Sequence, residues 1–352
     1  MSAPTHIFID TGIFDEQNYN FNSSAFNAFL MAIKKQALTL VIPDPTAREI
    51  ERHIEKRAED VLKALEEAKR KAPFLSKWKK WPIKKNSFNL EWELKEIADN
   101  EWKTFLENFS VVEIGYDGVE IGSIMDWYDG KKPPFGEGKK SKEFPDAFAI
   151  ASLFVYAKKQ SVSIAVVSTD GDFRRACERY SELSYFPSLP AYAEALISSD
   201  KRVEQIRIAI EDDPSLIINE IKKRFEDLSF YHEESFDADI SDIDVDNVEL
   251  KDFKIVHIGD QDTVISFIFI VDYSAYVRID DEDTAIVDSS EDLHMAIFEY
   301  RGTVSDSTKI SAIAKCSVNK AWDKLEAIVS FDIDDDHVIV SQRPDDYFEK
   351  GE

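Results

Sequence analysis

The sequence predicts an α/β protein: a three-layer α/β/α domain with a parallel sheet, then a helical segment and a smaller antiparallel β domain. In residues 1–190, short apolar runs alternate with long amphipathic stretches, which is the pattern of a parallel sheet covered by helices. Beyond about residue 235, strand-like runs follow one another through short turns with almost no helical signal. We therefore predict a first domain over 1–190, a helical connector over 191–234 and a β domain over 235–352.

The strands of the first domain are predicted from brief apolar or β-branched runs that are bounded by turn residues. They cover residues 6–9, 38–42, 111–114, 163–167 and 183–186. Between them, a helix is predicted from Thr46 to about Ala72, with Asp44 as a candidate N-cap and Pro45 in the first turn. Further helices are predicted over residues 90–108, 144–159 and 172–180.

The rest of the chain divides into a helical part and a β part. Residues 188–229 are helical in pattern, and Pro214 is expected to open the last helix there. Predicted strands follow over residues 253–258, 263–277, 284–287, 295–304, 309–318 and 325–333. The acidic stretch 237–246 fits either a linker or an exposed edge strand.

Composition limits the possible partners and location. The formal net charge is −26, but residues 1–200 hold 27 Lys and Arg against 31 Asp and Glu, a balance of −4, which leaves −22 for residues 201–352. The overall acidity therefore does not exclude a nucleic-acid partner for the first domain. Cys177 and Cys316 lack metal-type spacing, so we expect a cytoplasmic protein without disulfides. Neither a secretory signal nor a membrane-spanning run is expected.

Several acids follow predicted strands or begin the helices after them. Functional groups gather at the carboxyl ends of strands in an open parallel sheet, so these acids are expected at one edge. Clustered carboxylates stay ionised only when cations neutralise them, and hard oxygen ligands suit Mg²⁺ or Mn²⁺. Such a site can cleave phosphodiesters. The acids are Asp10, Glu49, Asp146 and Asp170, with Asp172 as a possible fifth.

Other interpretations of these residues remain open. Glu49 can equally be an acid that favours a helix N-terminus, and Asp172 can be the N-cap of the helix it opens. Thr11 and Thr169 can bind ligands or satisfy turns, and His53 fits a solvated or packing role. An aspartic protease is disfavoured because the Asp-Thr-Gly of HIFIDTG occurs once and helix-rich sequence follows it. A haloacid-dehalogenase phosphatase would need an acid where Gly12 stands.

The order of four motifs, IFIDTGIF, PTAREIERH, FPDAFAIA and VVSTDGDF, resembles that of the PIN-domain ribonucleases. The resemblance covers about residues 5–190, and VVSTDGDF is its most specific part. It implies a PIN-like fold in a long form with an extra C-terminal region. It also implies that Asp10, Glu49, Asp146 and Asp170 are catalytic and hold Mg²⁺ or Mn²⁺, with Asp172 as a further ligand, and it favours RNA over DNA.

Two basic segments fit a nucleic-acid partner. Residues 69–89 contain no acid and alternate basic with aromatic side chains, a combination that suits single-stranded nucleic acid. The loop of residues 131–142 leads into the predicted helix that carries Asp146. The residues expected to contact substrate are Thr11, Lys77, Trp78, Lys79, Lys80, Trp81, Lys84, Lys85, Lys139 and Lys140.

The sequence therefore predicts a metal-dependent endonuclease, a hydrolase that acts on single-stranded RNA. The alternative is an inactive PIN-like binding or assembly module whose acidic β domain mediates protein interaction. That β domain can also bind a basic partner, form an interface between copies of the chain, or shield the basic segments.

Overall fold

A computed structural model describes residues 3–34, 36–77, 90–136, 143–235, 238–281, 284, 286–288, 293–295, 298–334 and 337–349. The chain forms two compact units, Met1–Leu196 and Ile197–Glu352. No helix in the described ranges has the length and apolar content needed to cross a bilayer.

The first unit is built on a five-stranded parallel sheet with the order β3-β2-β1-β4-β5. Each strand lies within one residue of its predicted bounds, because the β-branched and apolar runs are short and sharply ended. The strands are β1 His6–Ile9, β2 Thr39–Pro43, β3 Ser110–Ile114, β4 Ile164–Val167 and β5 Leu183–Phe186. The strand order reverses direction between β1 and β4, which makes this pair the topological switch point of the sheet.

Helices connect these strands and confirm the predicted α/β class. They are α1 Thr11–Glu16, α2 Ser24–Ile33, α3 Asp44–Lys71, α4 Leu90–Leu106, α5 Ile121–Asp129, α6 Phe144–Gln160, α7 Gly171–Cys177 and α8 Leu189–Ile197, with a 3₁₀ turn at Pro73–Lys77. Asp44 is the first residue of α3 and not its N-cap, which is Pro43. The sequence prediction missed α1, α2 and α5. The first and last are short, and α2 has only two polar residues, Ser24 and Asn27, so its polar face is narrow.

An aromatic cluster holds helix α4 against the first unit. The ring of Phe14 in α1 lies 5.3 Å from that of Trp102 and 5.9 Å from that of Phe105, both in α4. Phe26 in α2 lies 5.2 Å from Phe105. Large aromatic side chains bury much apolar area, so these contacts anchor α4 beside α1 and α2.

The second unit is built on an antiparallel sheet, as predicted. The order of its strands is β12-β11-β8-β7, and β14 pairs with β11. Its helices are α9 Lys201–Asp212 and α10 Ser215–Phe225. A separate two-stranded pair, β6 with β13, is parallel. The strands are β6 Ser229–His232, β7 Asp239–Ile258, β8 Asp262–Asp280, β9 Ile286–Asp288, β10 Leu293–Met295, β11 Phe298–Val318, β12 Leu325–Ile333, β13 His337–Val340 and β14 Tyr347–Glu349.

The helices predicted as a connector contribute to the core of the second unit. Ile206 and Ile210 of α9 and Ile217, Ile221 and Phe225 of α10 are fully buried. They pack in one apolar cluster with the alternate inward side chains of β8, among them those of the segment 265–277. These helices therefore cover one face of the sheet and do not simply join two domains.

Candidate active site

Asp10 follows β1 at the switch point of the sheet. Its backbone N–H donates to the carbonyl of Val167 at 2.9 Å, which continues the β1 and β4 pairing by one step. Asp10 occupies the N-cap position of α1, but its side chain makes no capping hydrogen bond there. The carboxylate is buried, at 8% exposure. The pairing of β1 with β4 therefore sets the position of Asp10 at the start of α1.

Two helices bring further acids to this edge. Glu49 lies near the start of α3 and accepts a hydrogen bond from Thr11 Oγ1 at 3.2 Å. Asp146 lies in the first turn of α6, next to Pro145. An acid in the first turn of a helix is favoured by the exposed N–H groups there, so the local sequence suits Asp146 as well as the site does.

The loop after β4 supplies Asp170 and its support. Ser168 is fully buried; its Oγ donates to Asp10 Oδ2 at 2.7 Å and accepts from the backbone N–H of Asp170 at 3.0 Å. Asp170 caps α7 by accepting from the N–H of Asp172 at 2.7 Å. Ser168 therefore ties the ends of β1 and β4 together through their acids.

One of the two interpretations of Asp172 is wrong. Asp172 is not the N-cap of α7, because Asp170 holds that position. Its side chain is buried and forms an ion pair with Arg175, one turn along the same helix. It is also not among the residues that line the pocket described next. The spacing Asp-Gly-Asp could not distinguish these positions, since both acids sit at the start of the helix.

The four acids that the motifs predicted line one pocket of about 330 Å³. The pocket also contains acids and a histidine that were not predicted as site residues. Its lining consists of Asp10, Thr11, Gly12, Asp15, Glu49, His53, Glu143, Pro145, Asp146, Thr169, Asp170 and Phe173. The structure thus brings together residues from four separate segments, although their catalytic roles remain predictions.

Burial and mutual repulsion act on these carboxylates. Burial raises the pKa of Asp10 to about 6, with smaller increases from the charges of Glu49 and Asp170, while the hydrogen bond from Ser168 opposes the rise. Burial also raises the pKa of Asp146 to about 8, and the charges of Asp10, Glu143 and Glu49 add to it. Negative charge at this pocket is therefore costly unless a cation is present.

Comparison with known families identifies the first unit. A family model for the PIN domain matches residues 7–173. The N-terminal unit is a PIN domain. Comparisons with curated proteins and with solved structures gave no match. The matched segment includes all four predicted acids and ends within α7, so it does not extend to the second unit.

The PIN domain carries an oriented histidine at the pocket. His53 Nδ1 lies 3.0 Å from the Asp15 carboxylate, and Arg57 Nη2 lies 3.2 Å from it. Arg57 also donates to Asn18 Oδ1 at 3.1 Å and stacks over the Tyr19 ring. His53 is therefore held by a partner and is not simply solvated. Asp15 precedes Glu16 in a helix that the sequence prediction missed, so no signal linked it to His53.

Sequence reasoning also missed Ser168 and Glu143. The first stands in the quoted motif VVSTDGDF but was not singled out, because a serine after a strand is common in turns. Its burial and its two hydrogen bonds distinguish it in the structure. Glu143 directly precedes α6, and its hydrogen bond with Asp146 adds to the raised pKa of Asp146.

The donor chemistry of the PIN-domain pocket fits a divalent cation. Among its carboxylates, Asp10, Glu49, Asp146 and Asp170 form no ion pair with any Lys or Arg in the described part of the chain. Oxygen donors of this kind are those that Mg²⁺ and Mn²⁺ prefer. However, within the described residues no group of three or more His, Cys, Asp and Glu side chains is arranged to hold a metal ion. The residue types fit the ion, whereas the side chains would have to turn towards it.

Most of the predicted substrate contacts lie outside the described residues. These are Trp78, Lys79, Lys80, Trp81, Lys84, Lys85, Lys139 and Lys140. Lys77 is described; it is exposed at the end of the 3₁₀ turn Pro73–Lys77. Thr11 lies in the pocket and binds Glu49, so its hydroxyl has a structural partner as well as access to the site.

Proposed function

We propose that this protein is a metal-dependent endonuclease that hydrolyses phosphodiester bonds in single-stranded RNA. The observation that carries the proposal is the gathering of four carboxylates from separate segments at the switch point of a PIN domain. In the described residues none of the four is neutralised by Lys or Arg, and burial raises the pKa of two of them. Such a set of acids is unfavourable for folding and is explained by cation binding.

Each side chain has a defined part in this proposal. Asp10, Glu49, Asp146 and Asp170 would hold Mg²⁺ or Mn²⁺, which when bound lowers the pKa of a water molecule and offsets charge on the leaving oxygen. Ser168 orients Asp10, and its hydrogen bond favours the ionised carboxylate. Thr11 orients Glu49. The ligand role predicted for Asp172 is left out, because its side chain is paired with Arg175.

The choice of RNA rests on the resemblance to PIN-domain ribonucleases and on the basic, aromatic segment 69–89. Single strands suit this segment, because aromatic rings stack on unpaired bases and lysines follow the phosphates. Lys77, Lys79, Lys80, Lys84 and Lys85, with Trp78 and Trp81, are the proposed contacts, and Lys139 and Lys140 add a second basic loop.

The test is cleavage of end-labelled single-stranded RNA and DNA with Mg²⁺, Mn²⁺ or EDTA. We expect cleavage of RNA with metal, none with EDTA, and a loss of at least about 100-fold in Asp10→Asn and Asp170→Asn. Asp126→Asn, an exposed acid on α5, is the matched control and should cleave as the wild type does. Equal activity in all variants would contradict the proposal.

The alternative, an inactive PIN-like binding module with an interacting β domain, predicts a different result. Wild-type protein would then cleave neither RNA nor DNA with any metal, while Mg²⁺ or Mn²⁺ would leave its thermal stability unchanged. Metal-dependent stabilisation that is lost in Asp10→Asn would favour the enzyme, because it reports on the carboxylate site without cleavage.

A further inference from the structure

A second cavity of the PIN domain lies beside the acidic pocket. Its volume is about 500 Å³, and it is lined by Arg174, Cys177, Glu178, Leu183, Tyr185 and Pro187. Four of these side chains offer carbon or sulfur surface, counting the Tyr185 ring, and Arg174 offers a cation. The cavity differs in chemistry from the acidic pocket, where half of the lining residues are Asp or Glu.

Two elements connect the cavity to the acids. Helix α7 begins directly after Asp170, and the N–H of Arg174 bonds to the Asp170 carbonyl at 3.4 Å. One helical turn, about 5.4 Å of rise, therefore separates the two residues along the helix. Strand β5 pairs with β4 so that Tyr185 lies opposite Val166, two residues before Ser168. The cavity thus begins one turn away from the proposed catalytic acids.

Electrostatic coupling agrees with this arrangement. Burial raises the pKa of the half-buried Tyr185, the Arg174 charge opposes the rise, and the charges of Asp170 and Asp10 add to it. The phenol is therefore near enough to sense both the cation of its own cavity and two acids of the neighbouring pocket.

The lining matches the parts of a nucleotide. An aromatic ring beside apolar side chains offers a surface for stacking a base, and a guanidinium binds phosphate and can also stack on a base. Arg174 is two-thirds exposed and its pairing with Glu178 is loose, with 3.7 Å between Nε and Oε1. Exposed pairs of this kind contribute little to stability, so a phosphate can replace Glu178 as the partner of Arg174 at small cost.

We propose that this cavity binds an unpaired nucleotide of the substrate that flanks the scissile phosphate, with its base on Tyr185 and its phosphate on Arg174. The proposal rests on the proposed nuclease function, since it treats the cavity as the continuation of that substrate path. It assigns the substrate class to a strand whose bases are unpaired at the cleavage point, because a paired base cannot stack on the ring.

The first experiment measures binding without cleavage. A fluorescein-labelled single-stranded RNA is titrated against Asp10→Asn protein that also carries Tyr185→Leu, Tyr185→Phe or Arg174→Gln. Base stacking on an aromatic ring is worth about 1–3 kcal/mol, so Tyr185→Leu should weaken binding by roughly 10-fold, while Tyr185→Phe should stay within about 2-fold of the parent. Arg174→Gln should weaken binding and flatten the slope of log K against log salt by about 0.7.

The matched control is Arg224→Gln. This arginine is also exposed and also pairs with a glutamate four residues away, with 2.8 Å between Arg224 Nε and Glu220 Oε1. It lies in α10 of the second unit, so its loss should not change RNA binding. Equal effects of Arg174→Gln and Arg224→Gln would mean that only overall charge matters, and would overturn the proposal.

The second experiment detects the stacked base directly and covers the case in which Tyr185→Leu fails to fold. RNA carrying 2-aminopurine on one or the other side of the cleavage point is added to Asp10→Asn protein. We expect quenching from one flank, kept in Tyr185→Phe and reduced in Arg174→Gln. Unchanged fluorescence at both flanks would overturn the proposal. If wild-type protein cleaves while none of these variants alters binding, only the cavity assignment fails; absence of cleavage under every metal contradicts the nuclease function separately.

Discussion

At the scale of single residues, Ser168 determines how the two central acids are held. Its hydroxyl donates to Asp10 Oδ2, and the same oxygen accepts from the N–H of Asp170. The first bond favours the ionised form of Asp10, whose pKa burial raises to about 6. One buried hydroxyl therefore acts on both the charge of one acid and the backbone position of the other.

Replacing Ser168 by Ala should raise the pKa of Asp10 further and leave the Asp170 N–H without its partner. Below the pKa of a carboxyl the acid is protonated and cannot serve as a ligand, so the activity loss should be greater at pH 6, roughly 10-fold, than at pH 8. A pH–rate profile of RNA cleavage measures this. We also expect a loss of about 1–3 kcal/mol in the free energy of unfolding.

Ser152→Ala is the matched control for that prediction. Ser152 is also buried, at 3% exposure, but its Oγ has no hydrogen-bond partner among the described residues. Removing it should leave the pH–rate profile unchanged and stability equal or slightly higher. If both serine variants gave the same shifted profile, the role assigned to Ser168 would be wrong.

Asp146 provides a test of how burial and the charges of neighbouring acids destabilise the metal-free pocket. Its pKa rises from the usual 3.8 to about 8 in the folded protein. Between these values the folded state keeps a proton that the unfolded chain has lost, so the free energy of unfolding should fall as pH rises from about 4 to 8. Asp146→Asn cannot ionise. In EDTA at pH 8, its free energy of unfolding should exceed that of the wild type by on the order of 2 kcal/mol. At pH 5 this difference should be smaller.

Denaturant unfolding at several pH values in EDTA measures this difference. Asp126→Asn, the exposed acid on α5, should follow the wild type at every pH. With Mg²⁺ or Mn²⁺ the wild type should be more stable than Asp146→Asn, because the cation stabilises the ionised wild-type pocket. A pH dependence that is the same in Asp146→Asn and wild type, with and without metal, would rule out the pocket as its source.

At the scale of elements, local pattern predicted the first unit where each element has its own signal. The strands β1 to β5 were found because their β-branched runs are short and bounded by turn residues. The helices α1 and α2 were missed, since one follows a strand after a single residue and the other has only two polar residues. Their absence from the prediction hid Asp15, and with it the partner of His53.

The second unit was harder to predict because its organisation depends on contacts that are distant in sequence. The stretch 237–246 was open between linker and strand; from Asp239 it is part of the edge strand β7. That strand pairs with β8 through four register shifts. Bulges and charged side chains at a sheet edge hinder pairing with another chain, which accounts for an acidic sequence in a strand.

The packing of α10 against the sheet leads to a prediction for that helix. Ile221 is fully buried in the core of the second unit, so Ile221→Ala should lower the free energy of unfolding by about 2–5 kcal/mol. Hydrogen exchange should speed up in β7 and β8 but not in β1 to β5. Ile208→Ala in α9 is the matched control, because Ile208 is 49% exposed and should change exchange little. If Ile221→Ala left β8 unchanged, α10 would be a connector as the sequence first suggested.

At the scale of the whole molecule, the order of motifs was enough to predict the family of the first unit and the four acids in its pocket. It could not predict the supporting residues, because Ser168, Asp15 and Glu143 become recognisable only through burial and hydrogen bonds. Of the two interpretations of Asp172, the N-cap is wrong, because Asp170 holds that position, and the ligand role stays a prediction. Motifs identify residues that chemistry requires, whereas supporting contacts depend on how distant segments meet.

The uneven charge of the molecule makes its affinity for nucleic acid depend on a few basic segments. Changing Lys79, Lys80, Lys84 and Lys85 to Ala takes the formal net charge from −26 to −30. If these lysines bind phosphates, affinity for single-stranded RNA should fall and the slope of log K against log salt should flatten by about 0.7 for each phosphate that is no longer neutralised. The control replaces four exposed lysines of the second unit by Ala, which changes the net charge by the same amount. These are Lys201, Lys223, Lys320 and Lys324. A flatter slope only in the first variant would locate the phosphate-binding lysines in the segment 69–89, because a general effect of net charge would act on both variants alike. Equal slopes in the two variants would remove that segment from substrate binding.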